Sequence, residues 1–206
     1  MGLRFGITMR EVTAVNYYEP RDAIARDWSV YMSNAFPEDK WLFIPNIKDQ
    51  AVHLFKEWNL NVLILTGGDD LGRTPDRDVT ELALLRYAFE NNIPVIAVCR
   101  GMQLVHSYYG GELIKCGEEF EKIHRASSHD IIIHGEHHKV NSYHKGMLKE
   151  STLDVRLTIL ARCKIDNSIE MFYSEKVLAM MWHPEREKEV SEWNLDLIKQ
   201  FISNGL

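Results

Sequence analysis

Residues 93–103 read Ile-Pro-Val-Ile-Ala-Val-Cys-Arg-Gly-Met-Gln. Ile93 to Val98 is an uncharged run, and it ends abruptly at Cys99, Arg100 and Gly101. A short continuous apolar run is the pattern of a strand covered on both faces, as at the centre of a parallel sheet. Arg100 to Tyr109 then has helical character and stops at Gly110-Gly111. Strand, tight turn and helix in succession form part of a βαβ repeat, and this reading decides the fold. Cys99 stays open at this point. Free cysteine most often packs as a small hydrophobe, whereas a nucleophile can be held on such a turn.

The flanking sequence repeats the same alternation. Leu3 to Met9, Trp41 to Pro45 and Asn61 to Thr66 read as strands. Between them, Asp22 to Phe36 carries Ile24, Trp28, Tyr31, Met32 and Ala35 at helical spacing, and a second helix spans about Lys48 to Trp58. A third helix is announced by Thr74 as cap, Pro75 in the first turn and Asp76 and Asp78 at its positive end. Its apolar face is expected at Leu82, Leu85 and Phe89.

After residue 112 the pattern changes. Ile131 to Ile133, Leu157 to Ala161, Ile169 to Tyr173 and Val177 to Met181 are short β segments, expected as a small antiparallel appendage. A last helix presents Val190, Trp193, Leu197, Ile198, Phe201 and Ile202. The expected fold is α/β, a doubly wound, mostly parallel sheet flanked by helices, in one domain spanning 1–206.

Composition narrows the function. The 206 residues are 45% hydrophobic and 26% charged, ordinary for a globular domain that buries a core. Thirty acidic residues against 24 basic ones leave a net charge of −6, which argues against a general nucleic-acid binder. Three cysteines, Cys99, Cys116 and Cys163, form neither a disulfide framework nor a CxxC, which points to a reducing, cytoplasmic setting. The N-terminus enters a strand at once, without the features of a signal peptide. No apolar run approaches the length of a membrane span. Neither nucleic acid nor membrane is therefore expected as a partner; the oligomeric state is open, a homodimer included.

Three loops at strand ends carry the chemistry of acyl transfer. The first is Val98-Cys99-Arg100-Gly101, where the following helix would aim backbone N–H groups at the sulfur and lower its pKa. The second is Leu65-Thr66-Gly67-Gly68-Asp69-Asp70, in which a diglycine can turn a backbone N–H towards a developing oxyanion. The third holds His183-Pro184-Glu185, so the carboxylate of Glu185 could orient the imidazole for proton transfer with the thiol. Cys116 and Cys163 have no such companions and are expected to be ordinary thiols.

With those residues in view, the sequence resembles the class I glutamine amidotransferase-like superfamily over nearly its whole length. The resemblance rests on "AVCRGMQLV…YGGEL", "TGGDD" and "WHPE". Within it, "CRGMQ", Arg77-Asp78 and "VNSYHKG" (residues 140–146) are similar to the γ-glutamyl hydrolase branch, which includes γ-glutamyl-γ-aminobutyrate hydrolase. The resemblance implies a flavodoxin-like sheet and a Cys-His-Glu triad of Cys99, His183 and Glu185, with no cofactor. It implies oxyanion N–H groups from Gly68 and Arg100, and glutamyl contacts from Gln103, Ser142 and Tyr143. Where the branch usually carries glycine, two residues before the cysteine, this chain has Ala97, for which a slightly tighter elbow is expected.

The implied reaction is hydrolysis of a γ-glutamyl amide of a small conjugate. The alternative is a glutaminase subunit that passes ammonia to a separate synthase partner. The length and the opening "YYEPRDAIARDW" further resemble short members associated with bacterial surface polysaccharides, which implies a γ-glutamyl group on the nitrogen of a cytidine diphosphate amidate. Tyr17, Tyr18 and Arg21 could then overhang the site and select the leaving group, with Arg100, Arg125 and Lys139 as cations for a diphosphate. Six of the nine histidines fall between His124 and His144. Their spacing matches no regular ligand pattern, so no metal is expected. The segment reads as a loop and hairpin beside the site, with His144 the best candidate for substrate contact.

Overall fold

The computed structural model describes residues 2–204. In chain order the strands are β1 (Arg4–Thr8), β2 (Arg10–Thr13), β3 (Pro20–Ala23), β4 (Lys40–Ile44), β5 (Val62–Leu65), β6 (Val95–Val98) and β7 (Leu113–Lys115). They continue as β8 (Arg125–Ile133), β9 (Glu136–Tyr143), β10 (Gly146–Leu148), β11 (Thr158–Cys163), β12 (Ile169–Ser174) and β13 (Val177–Met180). The helices are α1 (Arg26–Ala35), α2 (Gln50–Glu57), α3 (Pro75–Glu90), α4 (Arg100–Tyr108), α5 (Glu118–His124) and α6 (Glu192–Asn204).

Nine strands form one sheet in the order β4-β1-β5-β6-β13-β12-β11-β8-β9. The first five run parallel, so the parallel part has the spatial order 2-1-3-4-5 of a flavodoxin-like sheet. The alternation in sequence dictates this half. Each residue of β5, β6 and β13 is buried, as expected for strands covered on both faces. Asn59, Asn92 and Gly110, all at positive φ, follow α2, α3 and α4, where a left-handed residue ends a helix with little strain.

The antiparallel segments are not a separate appendage. Strands β12, β11, β8 and β9 extend the parallel sheet edge to edge, starting from β13. Val177–Met180 itself belongs to the parallel half, because it pairs with β6 in register from Val95 to Val98. Separate two-stranded sheets, β2–β3 and β7–β10, complete the strands.

Three local expectations are overturned. The first helix starts at Arg26, not Asp22, because Pro20–Ala23 pairs with Arg10–Thr13 in a hairpin. Pro20 sits at the first position of an edge strand, where its missing N–H costs nothing. In α3 the buried face is Leu84, Leu85, Ala88 and Phe89, with Arg77, Thr80 and Glu81, while Leu82 is half-buried. Thr74 makes no capping hydrogen bond there. Arg77 and Glu81 of α3 are turned inward, which no hydrophobic count reveals.

Candidate active site

The site is assembled where β5, β6 and β13 end, beside the β1–β5 switch in strand order, which is where open α/β sheets bind ligands. Cys99 sits between β6 and α4 with φ 51° and ψ −102°, a conformation rarely adopted by non-glycine residues. Its N–H donates to Met180 O at 2.7 Å, tying the turn to the neighbouring strand. Gly101 makes the turn possible: a Cβ there would stand 2.5 Å from Leu65 O, against backbone that cannot move aside. Ala97, by contrast, is fully buried within β6, paired to Leu65 and Ala179.

His183 follows β13, and its Nδ1 lies 2.7 Å from Glu185 Oε1, with both side chains nearly fully buried. Gly67 gives the imidazole its room, because a Cβ at that position would meet His183 Cε1 at 2.5 Å. Burial pushes the Cys99 thiol up, but the charge and hydrogen bonding of His183 outweigh it and hold the thiol below its ordinary value. For His183, burial lowers the pKa, yet Glu185 and the Cys99 thiolate raise it to about 9. The pair therefore favours thiolate and imidazolium together. Alkylation of Cys99 by iodoacetamide, followed by mass spectrometry, is expected to remain fast below the ordinary thiol pKa of about 8.5, and to slow in His183→Gln. Because the folded pKa of His183 is raised, its contribution to stability is full below about 6.5 and disappears as pH rises through about 9.

Asn141 on β9 is a part of the site that residue reading missed. Its Oδ1 accepts from His183 N at 3.0 Å, and its Nδ2 donates to His183 O at 2.8 Å and to Glu187 Oε1 at 2.6 Å. It thus clamps the backbone of the His183 loop from both sides. The only sequence signal was its place inside "VNSYHKG". Asn141→Ala is expected to lower turnover by up to about 100-fold through misplacement of the imidazole, with a smaller change in KM, as steady-state kinetics will measure.

Behind the Thr66-Gly67-Gly68 loop lies a buried ionic network that sequence reading also missed. Arg77 Nε donates to Glu81 Oε1 at 3.0 Å, and its Nη2 donates to Thr66 O at 2.9 Å and Gly67 O at 3.0 Å. Glu81 also accepts from Thr8 Oγ1 at 2.7 Å and from Arg100, which pairs in addition with Asp78. Gly68, at φ +150°, passes so close to Arg77 Nη1 that a Cβ would overlap it. The network fixes the diglycine loop from below. It also removes Arg100 from the cations expected to meet a diphosphate, since its side chain is 1% exposed and faces two carboxylates. The Arg100 backbone N–H stays in play at the start of α4, where it has no intrahelical partner.

The remaining candidates divide. Gln103 is half-buried on α4, one turn after Cys99. Tyr143 is partly exposed and stands edge-on to the His183 ring, with centroids 5.5 Å apart, and the Arg186 guanidinium lies over the Tyr143 ring at 4.3 Å. Ser142 is fully buried and donates to His124 O at 2.7 Å, so its hydroxyl is engaged within the fold. His144 is buried too, with Nδ1 2.9 Å from Gly146 O. The β8–β9 hairpin is present, and it turns His129 inward while His134 and His137 face outward; His124, at the end of α5, is buried as well. Tyr17, Tyr18 and Arg21 are exposed near the tip of the β2–β3 hairpin, where Arg21 binds Glu19 and Tyr17. The base of that hairpin approaches the site: Arg10, Thr66, Gly67, His183, Glu185 and Arg186 share one small cleft. Arg125 is paired with Glu121 and Lys139 is exposed. Cys163 is buried with its thiol pushed up to about 11, and burial raises Cys116 as well.

The profile described as Glutamine amidotransferase class-I matches residues 43–203. The chain belongs to this family. Among curated relatives, γ-glutamyl-CDP-amidate hydrolase of Campylobacter jejuni is 28% identical over 209 aligned residues, covering 96% of each chain. γ-Glutamyl-γ-aminobutyrate hydrolase of Escherichia coli is 25% identical, over 66% of this chain and 63% of that one. A glutamine amidotransferase of Thermotoga maritima shares the fold with a TM-score of 0.63 at 11% identity, covering 90% of this chain and 77% of that chain. Glutamine amidotransferases are thus relatives in both fold and sequence, and hydrolases are among the relatives by sequence. No helix of the described residues is long and apolar enough to cross a membrane.

Proposed function

We propose that the protein is a cysteine-dependent amidohydrolase that releases glutamate from a γ-glutamyl conjugate, with γ-glutamyl-CDP-amidate as its substrate. The observation that carries the chemistry is Cys99 on a strained elbow beside the buried His183–Glu185 pair. The Cys99 thiolate attacks the γ-carbonyl carbon, and the oxyanion is received by the N–H groups of Gly68 and Arg100. His183 donates its proton to the departing nitrogen, and the C–N bond breaks to leave a γ-glutamyl thioester. Water, deprotonated by His183, then attacks the thioester and frees glutamate and the thiolate. Glu185 orients the imidazole and balances its charge.

The choice of substrate rests on similarity to the Campylobacter jejuni enzyme across nearly the full length of both chains. Purified protein incubated with γ-glutamyl-CDP-amidate, γ-glutamyl-γ-aminobutyrate and glutamine, with glutamate release as readout, tests the proposal. Preference for the nucleotide conjugate is the expected result. Hydrolysis of glutamine alone would overturn it in favour of a glutaminase subunit.

A further inference from the structure

We infer that His124, His144 and Glu170 form a buried site for a divalent transition-metal ion of the zinc class, distinct from the Cys99–His183 pair, with His129 beside it against the other Glu170 oxygen. The four side chains come from the end of α5, from β8, from the turn after β9 and from β12, and each is at most 2% exposed. Three imidazole nitrogens converge on one carboxylate. His124 Nδ1 and His144 Nε2 each lie 3.5 Å from Glu170 Oε1, and His129 Nε2 lies 3.6 Å from Oε2. These spacings are long for N–H···O hydrogen bonds. His124 Nδ1, both nitrogens of His129, His144 Nε2 and Glu170 Oε2 have no hydrogen-bond partner among the described residues. So many unpartnered buried polar atoms around one point would be costly in an otherwise finished core.

The outer nitrogens show which atoms are free to bind. His144 Nδ1 faces Gly146 O at 2.9 Å, and a carbonyl can only accept, so Nδ1 carries the proton. His124 Nε2 faces Asp166 Oδ2 at 2.8 Å and carries the proton in the same way. In the neutral rings the lone pairs therefore sit on His144 Nε2 and His124 Nδ1, both aimed at the Glu170 carboxylate. Lone pairs against a carboxylate repel unless a cation lies between them. A histidine whose far N–H is held by a carboxylate or carbonyl is the usual setting of a metal ligand. For bonds of about 2.0–2.1 Å, the edge of a zinc tetrahedron is about 3.3–3.4 Å, close to the donor spacing present. One donor atom from each of His124, His144 and Glu170 lies within 4.8 Å of the others. An imidazole-rich set with one carboxylate suits zinc or cobalt better than magnesium or calcium.

The site would matter to the active site through the backbone. The strand that leads to His144 carries Asn141, which holds the His183 loop, and Glu170 O accepts from Met181 N at 2.8 Å. The irregular spacing of the histidines hid the site, because its donors are brought together by three separate segments.

The test uses full-length Cys99→Ala protein, so that the Cys99–His183 pair cannot hold the ion. Metal content after equilibration with zinc and dialysis is expected at about one ion per chain, retained in Cys163→Ser and reduced to roughly a tenth in His144→Asn and in Glu170→Gln. Cobalt(II) should give the visible absorption of tetrahedral nitrogen and oxygen ligation without a thiolate charge-transfer band. If the ligand variants fail to fold, the cobalt spectrum and a zinc-dependent rise in Tm of the Cys99→Ala protein still decide the matter. Substoichiometric metal with no shift in Tm would mean that protons, not a metal, neutralise the cluster, and would overturn the inference. A thiolate band abolished by Cys163→Ser would move the ion onto Cys163 and overturn this ligand set.

Discussion

Cys99→Ala is expected to abolish glutamate release from the γ-glutamyl conjugate, a loss of at least about 10⁴-fold in turnover. Removal of the sulfur leaves water as the only nucleophile, while the oxyanion N–H groups and the binding cleft persist. Residual rate from those groups sets the floor. The fold should be unaffected. Cys99 is held by its own backbone contact to Met180 O and by Gly101 against Leu65, and neither involves the thiol. Circular dichroism and Tm will show whether the protein remains folded, and a rapid-quench search for a glutamyl thioester in the parent will show whether the covalent step exists. Substantial turnover by folded Cys99→Ala would sink the mechanism.

Glu81→Gln is expected to have the largest effect on stability. The Glu81 carboxylate is fully buried between the guanidinium groups of Arg77 and Arg100, both of which are also buried. Glutamine keeps the shape but removes the charge that both arginines face, leaving Asp78 alone to balance them. Loss of one partner from a buried pair costs about 3–5 kcal/mol, or roughly 6–20 °C in Tm for a chain of this size. Burial would raise the Glu81 pKa, but Arg77 and Arg100 hold it below the ordinary value. Its contribution is therefore present above the ordinary carboxylate range and is lost as pH falls towards the folded pKa. Part of the acid sensitivity of the parent should be missing in Glu81→Gln, measured by urea unfolding between neutral and acidic pH. Because Arg77 supports the carbonyls of Thr66 and Gly67, turnover should fall as well in the fraction that folds.

The core of the site was legible because its chemistry is carried by residue types at strand ends. A cysteine after an apolar strand, a diglycine after a second and a His-Pro-Glu after a third are local patterns, and a parallel sheet aligns the ends of its strands. Asn141 was less legible, since asparagine on a hairpin strand carries no signal until the strand is placed beside the His183 loop. The inward face of α3 was misread for a related reason: Arg77 and Glu81 look like a solvated pair one turn apart until Arg100 arrives from α4. Tyr17, Tyr18 and Arg21 were expected over the site, but pairing of β2 with β3 carries them near a hairpin tip, and the hairpin base with Arg10 takes that place.

By itself, the sequence determined the alternating α/β architecture and the strand-end loops that carry Cys99, Gly67-Gly68 and His183-Pro184-Glu185. Each of these follows from periodicity or from contiguous residues, which are local properties of a chain. Tertiary structure alone decided the continuation of the parallel sheet into β12, β11, β8 and β9, the burial of the Arg77–Glu81–Arg100 network and the convergence of three histidines on Glu170. Those depend on residues distant in the chain meeting in a low-dielectric interior, where an unpaired charge or lone pair is costly and partners must be found across elements.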